Sequence, residues 1–262
     1  MTTIRPKKSL GQHFLKDLTI ARRIAETLSA YRGMPVLEVG PGMGVLTRFL
    51  LNEGHDLSVV EIDRDSILYL KNNIPALKDK IFVEDFLQMN LSEIFPGKFC
   101  IIGNYPYYIS TQIFFKALEF REQVVCCSGM IQKEVAERLA AKGASRNFGI
   151  LSALIQPWYD VEYLFTVNEE VFYPPPKVKS AVVRLTRNGR TDLGCDEALY
   201  KKVVKTAFNQ RRKMLRNSLK PLLPQSDIYT EGIFDRRPEQ IDVQQFIELA
   251  NLLEKGISEL KV

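Results

Sequence analysis

Short apolar runs alternate with segments of helical periodicity through the first two thirds of the chain. The first four runs lie at residues 36–39, 57–61, 81–84 and 99–103, and stretches with apolar residues every three or four positions separate them. Such alternation is typical of an α/β protein with a mostly parallel sheet and helices on both faces. Three further runs, at 124–131, 158–167 and 180–185, can extend this sheet.

The last third of the chain has a different pattern. Apolar residues recur at helical spacing over 199–208 and again over 243–253, and the turn dipeptide Asn188-Gly189 precedes them. We therefore predict two domains, a larger α/β domain over residues 1–188 and a small all-helical domain over residues 189–262.

A glycine-rich turn follows the first of these apolar runs. Residues 36–39 lead into Gly40-Pro41-Gly42-Met43-Gly44, and a helical stretch, 45–52, comes next. Glycines let the backbone approach a nucleoside closely and leave N–H groups near the start of the helix. The turn predicts a nucleotide or nucleoside site.

Acidic residues end the next two apolar runs. Glu61 lies 21 residues after Gly40, which is the separation expected of an acid that binds ribose hydroxyls. Asp85 follows the third run, where its carboxylate can accept from an adenine amino group while Phe86 or Leu87 covers the base. Motifs that occupy successive strand ends in this order reinforce one another.

The spacing of the glycines distinguishes two cofactor classes that use such a crevice. The pattern here is Gly-x-Gly-x-Gly with Glu38 two residues ahead of Gly40, whereas dinucleotide sites use Gly-x-Gly-x-x-Gly and position 45 is Val. This pattern favours S-adenosylmethionine, whose amino acid end carries no pyrophosphate. A dinucleotide oxidoreductase would use the same crevice and is the alternative.

The stretch Asn104-Tyr105-Pro106-Tyr107 follows the fourth apolar run and suits chemistry on the amino group of a flat base. An exocyclic amine conjugated with its ring is a poor nucleophile, so a catalyst must draw its N–H groups toward acceptors. The Asn104 side-chain oxygen and the Tyr105 carbonyl can accept them, Pro106 restrains Tyr105, and Tyr107 offers a face for stacking. We hypothesise direct methyl transfer to adenine N6, with Asn104 positioning the amine.

Longer motifs connect these residues to a known family. The segment Lys7-Lys8-Ser9-Leu10-Gly11-Gln12-His13-Phe14-Leu15 and the segments 172–183 and 208–219 resemble signatures of the small-subunit ribosomal RNA adenine dimethyltransferases, the KsgA family. The resemblance extends from Lys7 to about residue 253. It implies a Rossmann-like class I methyltransferase fold with seven strands, the last paired as a hairpin. It also implies N6,N6-dimethylation of two adjacent adenosines in a hairpin loop near the 3′ end of small-subunit RNA.

The resemblance also implies roles for individual residues. Gln12, His13 and Leu15 border the methionine end of the cofactor, Gly40 and Gly42 lie beneath it, Glu61 binds its ribose, Asp85 and Phe86 contact its adenine, Asn104 lies at the methyl donor, Tyr107 lies in the target-base pocket, and Phe172 forms a second stacking wall. Two positions depart from the commoner Asn-Leu-Pro-Tyr-Asn pattern. Tyr105 replaces the leucine and leaves the backbone carbonyl in place, whereas Tyr108 replaces an asparagine whose polar contact only the tyrosine hydroxyl can supply.

Two other functions share part of the pattern. A large-subunit RNA methyltransferase of the macrolide-resistance type has the same strand-end motifs. Residues 7–15, which we call the entry segment, and the segment 208–219 favour the small-subunit enzyme. A ribosome-assembly factor that acts mainly by binding RNA is the second alternative, and the intact Glu61, Asp85 and Asn104 argue that catalysis persists.

The basic residues are distributed unevenly along the chain. The net charge is +5, yet residues 187–220 contain ten Lys/Arg and three Asp/Glu, and residues 1–16 contain four basic and no acidic residues. We expect Arg211, Arg212, Lys213 and Arg216 to bind RNA phosphates, with an affinity that falls steeply as salt is added.

Cysteine and histidine content argues against a metal site. The sequence has no Cys-x-x-Cys pair and only two histidines, His13 and His55, and we expect Cys126 and Cys127 to lie in a buried strand. No apolar signal region or run of ~20 apolar residues occurs. We therefore expect a cytoplasmic protein. The resemblance implies that its partner is ribosomal RNA in a pre-ribosomal small subunit, and we expect it to act as a monomer.

Overall fold

The structure is a computed structural model that describes residues 5–7, 10–224 and 227–259. Lys8 and Ser9 of the entry segment lie outside the described residues. The chain divides into two compact units: residues up to Ala136 with Asp160–Arg187, and Glu137–Tyr159 with the residues from Asn188 onward. The second division falls beside the predicted turn at Asn188, whereas the structure groups Glu137–Tyr159 with the second unit rather than with the predicted first domain.

Seven of the strands form one sheet. The strands of the described chain are β1 (Phe14–Leu15), β2 (Pro35–Val39), β3 (Asp56–Val60), β4 (Ile81–Phe82), β5 (Phe99–Asn104), β6 (Val124–Gln132), β7 (Tyr159–Val167), β8 (Phe172–Tyr173) and β9 (Ser180–Arg187). The order in the large sheet is β4-β3-β2-β5-β6-β9-β7. Neighbours from β4 to β6 run parallel, and β6 and β9 run antiparallel. This arrangement confirms the predicted class I methyltransferase sheet.

The central strands are continuous apolar runs because parallel strands are covered on both faces. All residues of β5 up to Gly103 are buried, and Cys126 and Cys127 are fully buried in β6, as predicted. The edge strand β7 instead is buried only at Tyr159 and Val167, and the positions between them are exposed or partly exposed. The strand pattern therefore follows the number of covered faces.

The first unit contains α1 (Leu18–Ala25), α2 (Val45–Asn52), α3 (Arg64–Asn73), α4 (Leu91–Ile94), α5 (Ser110–Glu119) and the start of α6 (Lys133–Ala140), with 3-10 helices at Glu26–Tyr31, Pro75–Leu77 and Glu169–Val171. Aspartates begin two of the helices. Asp17 accepts from the Thr19 and Ile20 N–H groups at 2.8 and 3.2 Å, and Asp63 accepts from Ser66. These side chains satisfy N–H groups that have no partner inside the helix.

A two-stranded ribbon holds the entry segment against the first unit. In it β1 pairs antiparallel with β8, with Phe14 opposite Tyr173 and Leu15 opposite Phe172. Leu15 and Phe172 belong to the main hydrophobic core. The ribbon was not predictable from the sequence, because two-residue strands have no readable periodicity.

The second unit is mainly helical, as predicted for the end of the chain. Its helices are α7 (Ile150–Ile155), α8 (Glu197–Asn209), α9 (Leu215–Ser218) and α10 (Val243–Glu259), with 3-10 helices at Asp227–Thr230, Gly232–Asp235 and Pro238–Gln240. Phe148, Phe208 and Phe246 pack together, with ring centroids 5.7 to 6.4 Å apart. None of the helices in the described ranges is long and apolar enough to cross a membrane.

Candidate active site

The site lies where the parallel strands β2, β3 and β5 reach their carboxyl ends. The order of strands along the chain reverses between β2 and β5, and open α/β sheets bind ligands at such a point. A cavity lies there. Its lining includes all twelve residues predicted to hold the cofactor or act on the amine: Gln12, His13, Leu15, Gly40, Gly42, Glu61, Asp85, Phe86, Asn104, Tyr105, Pro106 and Tyr107.

The glycine turn brings backbone to the edge of this cavity. Gly40 and Gly42 have φ values of 69° and 55°, which strain residues that carry a side chain. A Cβ on Gly42 would also lie 3.0 Å from the Phe14 ring. Glycine at position 42 therefore permits both the turn and the close approach of the entry segment.

Glu61 is fixed in the turn by backbone hydrogen bonds. Its Oε1 accepts from Ile62 and Asp63 N–H, both at 2.9 Å, and its Oε2 accepts from Gly42 N–H at 3.2 Å. Burial raises the pKa of this carboxyl, and the three hydrogen bonds oppose that rise. Because a carboxylate oxygen has two acceptor positions, Oε2 retains one for a hydroxyl in the cavity.

The neighbouring carboxyl and apolar side chains suit a purine. Asp85 is exposed, and Leu87 N–H, at 2.9 Å from Oδ1, is the one donor to its carboxylate among the described residues. Phe86 is 3% exposed, so its ring supports the wall instead of covering a base. Leu87 and Ile62, which is 47% exposed, line the cavity with accessible apolar surface. Ile62 was not among the site residues predicted from the sequence. Its position directly after the acidic Glu61 was the feature of the sequence that could have identified it.

The entry segment is attached to the start of α3. Gln12 Oε1 accepts from Lys7 N–H at 2.9 Å, and its Nε2 donates to Asp63 at 3.2 Å. The Lys7 ammonium pairs with Asp63 and, at 2.7 Å, with Asp65. Both ends of the Gln12 amide are thus engaged, so Gln12 positions the segment beside the cavity.

Asn104 ends β5 with its amide held in one orientation. Nδ2 donates to the His13 carbonyl at 3.1 Å, which leaves Oδ1 as an acceptor. Tyr105 N–H donates to the Met130 carbonyl at 3.1 Å. Among the described residues, none donates to Asn104 Oδ1 or to the Tyr105 carbonyl oxygen. Two successive residues therefore present free acceptors, as the amine chemistry requires.

The side chain of Tyr105 has no part in the cavity chemistry, because it is buried beneath the motif. It is 1% exposed, and its hydroxyl donates to the Ser128 carbonyl at 2.6 Å. A Cβ on Gly103 or Gly129 would lie 2.8 or 2.5 Å from the Tyr105 ring. The two glycines therefore make the space that a tyrosine needs in place of the commoner leucine.

Tyr107 is half-buried and tied to the entry segment. Its hydroxyl hydrogen-bonds with Ser180 Oγ at 2.5 Å, and burial raises its pKa. The His13 ring stacks on it with centroids 5.6 Å apart, and His13 Nδ1 lies 2.7 Å from the Pro174 carbonyl oxygen. These contacts hold the Tyr107 ring at the edge of the cavity.

The structure does not support Phe172 as a stacking wall. Phe172 is 1% exposed and packs in the main core, and it is absent from the cavity lining. The prediction was wrong for this conformation because side chains alternate along a strand: Phe172 points to the core, and the next residue, Tyr173, is 56% exposed.

Glu38, for which the sequence predicted no role beyond the glycine motif, also lines the cavity. It is 1% exposed and accepts from Thr47 Oγ1 at 2.6 Å. Burial raises its pKa to about 8; the Thr47 hydrogen bond opposes the rise and the charge of Glu61 adds to it. Glu38 is therefore mostly neutral at pH 7.

The predicted RNA-binding residues of the second unit divide into two pairs. Arg211 donates to the Arg146 carbonyl and lies 3.7 Å from Glu239, and Arg216 pairs with Asp235. Arg212 and Lys213 are exposed, and neither forms an ion pair within the described part of the chain. Only the second pair presents uncommitted charge.

The cavity fits S-adenosylmethionine by the chemistry of its groups. Glu61 offers an acceptor for a ribose hydroxyl, Asp85 one for an adenine amine, and Ile62 apolar surface for the purine. The glycine turn allows backbone contact with the amino acid end. No group of three or more His, Cys, Asp or Glu side chains that could hold a metal occurs among residues 5–7, 10–224 and 227–259.

Comparisons with known proteins agree over nearly the whole chain. The sequence matches the family described as ribosomal RNA adenine dimethylase over residues 4–255. It is 63% identical to the ribosomal RNA small subunit methyltransferase A of Parabacteroides distasonis, an alignment that covers 98% of this chain and 97% of that protein. It is 55% identical to the protein of the same name from Flavobacterium johnsoniae, with coverages of 97% and 98%.

Solved structures show the same fold. A dimethyladenosine transferase from Plasmodium falciparum is similar with a TM-score of 0.78 and 23% identity, covering 93% of this chain and 98% of that one. The 23S rRNA methyltransferase ErmE has a TM-score of 0.70 and 25% identity, with coverages of 92% and 99%. The family match and the relatives of 55 to 63% identity show that the chain belongs to the ribosomal RNA adenine dimethylase family and is an S-adenosylmethionine-dependent rRNA adenine dimethyltransferase.

Proposed function

We propose that the protein converts two adjacent adenosines to N6,N6-dimethyladenosine in the 3′-terminal hairpin loop of small-subunit ribosomal RNA. The observation that carries the proposal is the pair of free acceptors at the end of β5, Asn104 Oδ1 and the Tyr105 carbonyl oxygen. Relatives that are 55 to 63% identical bear a small-subunit methyltransferase name, which supports the choice of subunit.

The two acceptors act on the adenine amine. When both N–H groups point at Asn104 Oδ1 and the Tyr105 carbonyl, the nitrogen is drawn out of conjugation and its lone pair becomes available. S-adenosylmethionine, when bound, supplies an electrophilic methyl group. Fixed alignment of the reacting atoms accounts for much of the acceleration, up to ~7–11 kcal/mol in well-oriented systems. The His13 carbonyl accepts a hydrogen bond from the Asn104 amide and fixes its orientation before substrate binds.

Tyr107 is proposed to contact the target base. Its ring lines the cavity beside Pro106, and the contacts to Ser180 and His13 restrict its motion. An unpaired loop nucleotide can enter such a pocket at lower cost than a base in a duplex. This argument supports a hairpin loop as the target.

We assign phosphate binding by the basic cluster, residues 211–213 and 216, to the second domain, residues 189–262, and methyl transfer to residues 1–188. The exposed Arg212 and Lys213 support this division, since uncommitted cations bind phosphate. The proposal includes a monomeric protein that acts in the cytoplasm on a pre-ribosomal small subunit.

The test is methyl transfer from labelled S-adenosylmethionine to undermethylated small subunits, with large-subunit particles in parallel. The RNA is digested and the labelled nucleoside and its position are identified. Dimethyladenosine from the 3′ hairpin of small subunits alone is the expected result. Label only in large subunits would transfer the assignment to the macrolide-resistance type, and tight, salt-sensitive binding without label would favour an assembly factor.

A further inference from the structure

Three of the four residues in the ribbon of β1 and β8 are buried, and the fourth, Tyr173, is exposed. Residues directly opposite each other on paired strands lie on the same face, and successive residues lie on opposite faces. Leu15 and Phe172 form the buried face and pack in the core. Phe14, which is 9% exposed, and Tyr173, which is 56% exposed, lie on the other face, and both Phe14 and Leu15 line the cavity. Tyr173 is therefore the exposed residue of a ribbon whose first strand borders the cavity.

Tyr173 lies at the edge of the site, outside the cavity itself. It is 56% exposed and does not line the cavity. The next residue, Pro174, contacts His13 at 2.7 Å through its carbonyl oxygen, and His13 stacks on Tyr107. Pro174 and the His13 ring thus connect Tyr173 to Tyr107 in the proposed target-base pocket.

Exposed lysines accompany this tyrosine. Lys16 follows β1, and Lys177 and Lys179 follow Pro174 in the loop to β9. All three are exposed, and none forms an ion pair within the described ranges. The acidic residues of this segment, Glu169 and Glu170, lie before β8. Aromatic rings interleaved with lysines are the combination that binds single-stranded nucleic acid.

We propose that Tyr173 stacks on the base of the nucleotide that flanks the target adenosine, while Lys16, Lys177 and Lys179 bind the adjoining phosphates. This inference rests on the proposed function, because it takes an unpaired RNA loop as the substrate. With two adjacent adenosines, the flanking nucleotide is the other target. Tyr173 would then hold one adenosine outside the pocket while its neighbour is methylated.

The test is single-turnover methyl transfer to undermethylated small subunits by Tyr173→Ala, Tyr173→Phe and Leu68→Ala. Leu68 is 61% exposed on α3 and serves as a matched truncation of an exposed side chain. Loss of one base–aromatic stack lowers kcat/KM about 5-fold to 150-fold. We expect that loss for Tyr173→Ala, near wild-type rates for Tyr173→Phe and Leu68→Ala, and the same S-adenosylmethionine Kd for all.

A modified substrate assigns the loss to the flanking base. Small subunits are reconstituted with RNA that carries an abasic nucleotide beside the target adenosine. On this RNA the wild type and Tyr173→Ala should react at equal rates. A persistent difference there, or full activity of Tyr173→Ala on intact RNA, would overturn the inference while leaving the proposed function standing. A wild type that labels no small-subunit RNA would contradict the proposed function and the inference with it.

Discussion

The cavity residues of the first unit and the basic cluster of the second differ in how their polar groups are held. Glu61 and Asn104 are fixed by backbone groups, and each keeps an unused acceptor for a ligand. Arg211 and Arg216 form hydrogen bonds or ion pairs with groups of their own unit. Of the four predicted RNA-binding residues, Arg212 and Lys213 form no ion pair within the described residues. Backbone hydrogen bonds thus leave acceptors free at Glu61 and Asn104, whereas a count of charges does not show which of the cations are free.

Among the variants that test this comparison, we expect removal of the Asn104 amide to have the largest effect on the rate of methyl transfer. Asn104→Ala deletes one of the two acceptors for the amine, and loss of one oriented polar group in an active site typically lowers the rate about 100-fold to 1,000-fold. Cofactor binding should be unchanged, because the ribose and adenine partners lie on other strands. Single-turnover methyl transfer and calorimetric titration with S-adenosylmethionine measure the two quantities.

Two further variants control this measurement. Asn73→Ala removes an exposed helical asparagine and should leave both quantities unchanged. Asn104→Asp keeps the oxygen but loses the N–H donated to His13, so it should also lose most activity. Parallel loss of activity and cofactor affinity in Asn104→Ala would show that the residue supports the fold instead.

Removal of the Glu61 carboxylate should act mainly on cofactor affinity. Glu61→Ala takes away the proposed ribose acceptor and frees the Gly42, Ile62 and Asp63 N–H groups. Hydrogen bonds to a charged group contribute enough that we expect the Kd to rise about 10-fold to 100-fold. Calorimetric titration measures it, with Glu84→Ala as the control in the same cavity. An unchanged Kd would remove Glu61 from the ribose role.

The sequence predicted the parts of the site that local patterns specify. The glycine turn and Glu61 directly follow strands, Asp85 lies shortly after β4 and Asn104 ends β5, so the parallel sheet alone brings them to one edge. Strand positions were also predictable, because runs buried on both faces are continuously apolar. These features need no knowledge of distant contacts.

The remaining features depend on pairings between distant segments. Leu15 buries Phe172 only because β1 pairs with β8, and no local pattern shows which of two adjacent aromatic residues faces the core. The place of the Tyr105 ring depends on Gly129 of the neighbouring strand. In the same way, Arg211 appears in the sequence as one of several similar cations, and its partner Glu239 lies far along the chain.

Glu38 should give the first unit a stability that depends on pH. Its pKa is about 8 in the folded state against an ordinary value of 4.5, so the folded chain binds the proton more tightly than the unfolded chain does. This contribution is full below pH 4.5, falls as pH rises to about 8, and amounts to a few kcal/mol by linkage. Glu38→Gln should therefore exceed the wild type in Tm increasingly from pH 5 to pH 8.5.

Thermal unfolding across that pH range measures the difference. Glu119→Gln, which neutralises an exposed carboxyl on α5, is the control and should follow the wild type at every pH. A constant offset between Glu38→Gln and the wild type would show that Glu38 is already ionised across the range and that burial does not hold it neutral.

The smallest effect is expected on the RNA affinity of the basic cluster, residues 211–213 and 216. It distinguishes the cations that have no ion-pair partner from those that have one. Replacing both Arg212 and Lys213 by Ala should reduce the slope of log affinity against log salt by about 2, since each phosphate contact contributes about 1. Tm should not change, because neither side chain forms an ion pair within the described residues. Arg211→Ala should lower Tm and alter the slope less, because it loses the Arg146 contact.

Filter binding to small-subunit RNA at several salt concentrations measures the slopes. Equal slopes for the two variants would mean that Arg211 exchanges its internal partners for phosphate, and that its contacts in the free protein do not predict its role.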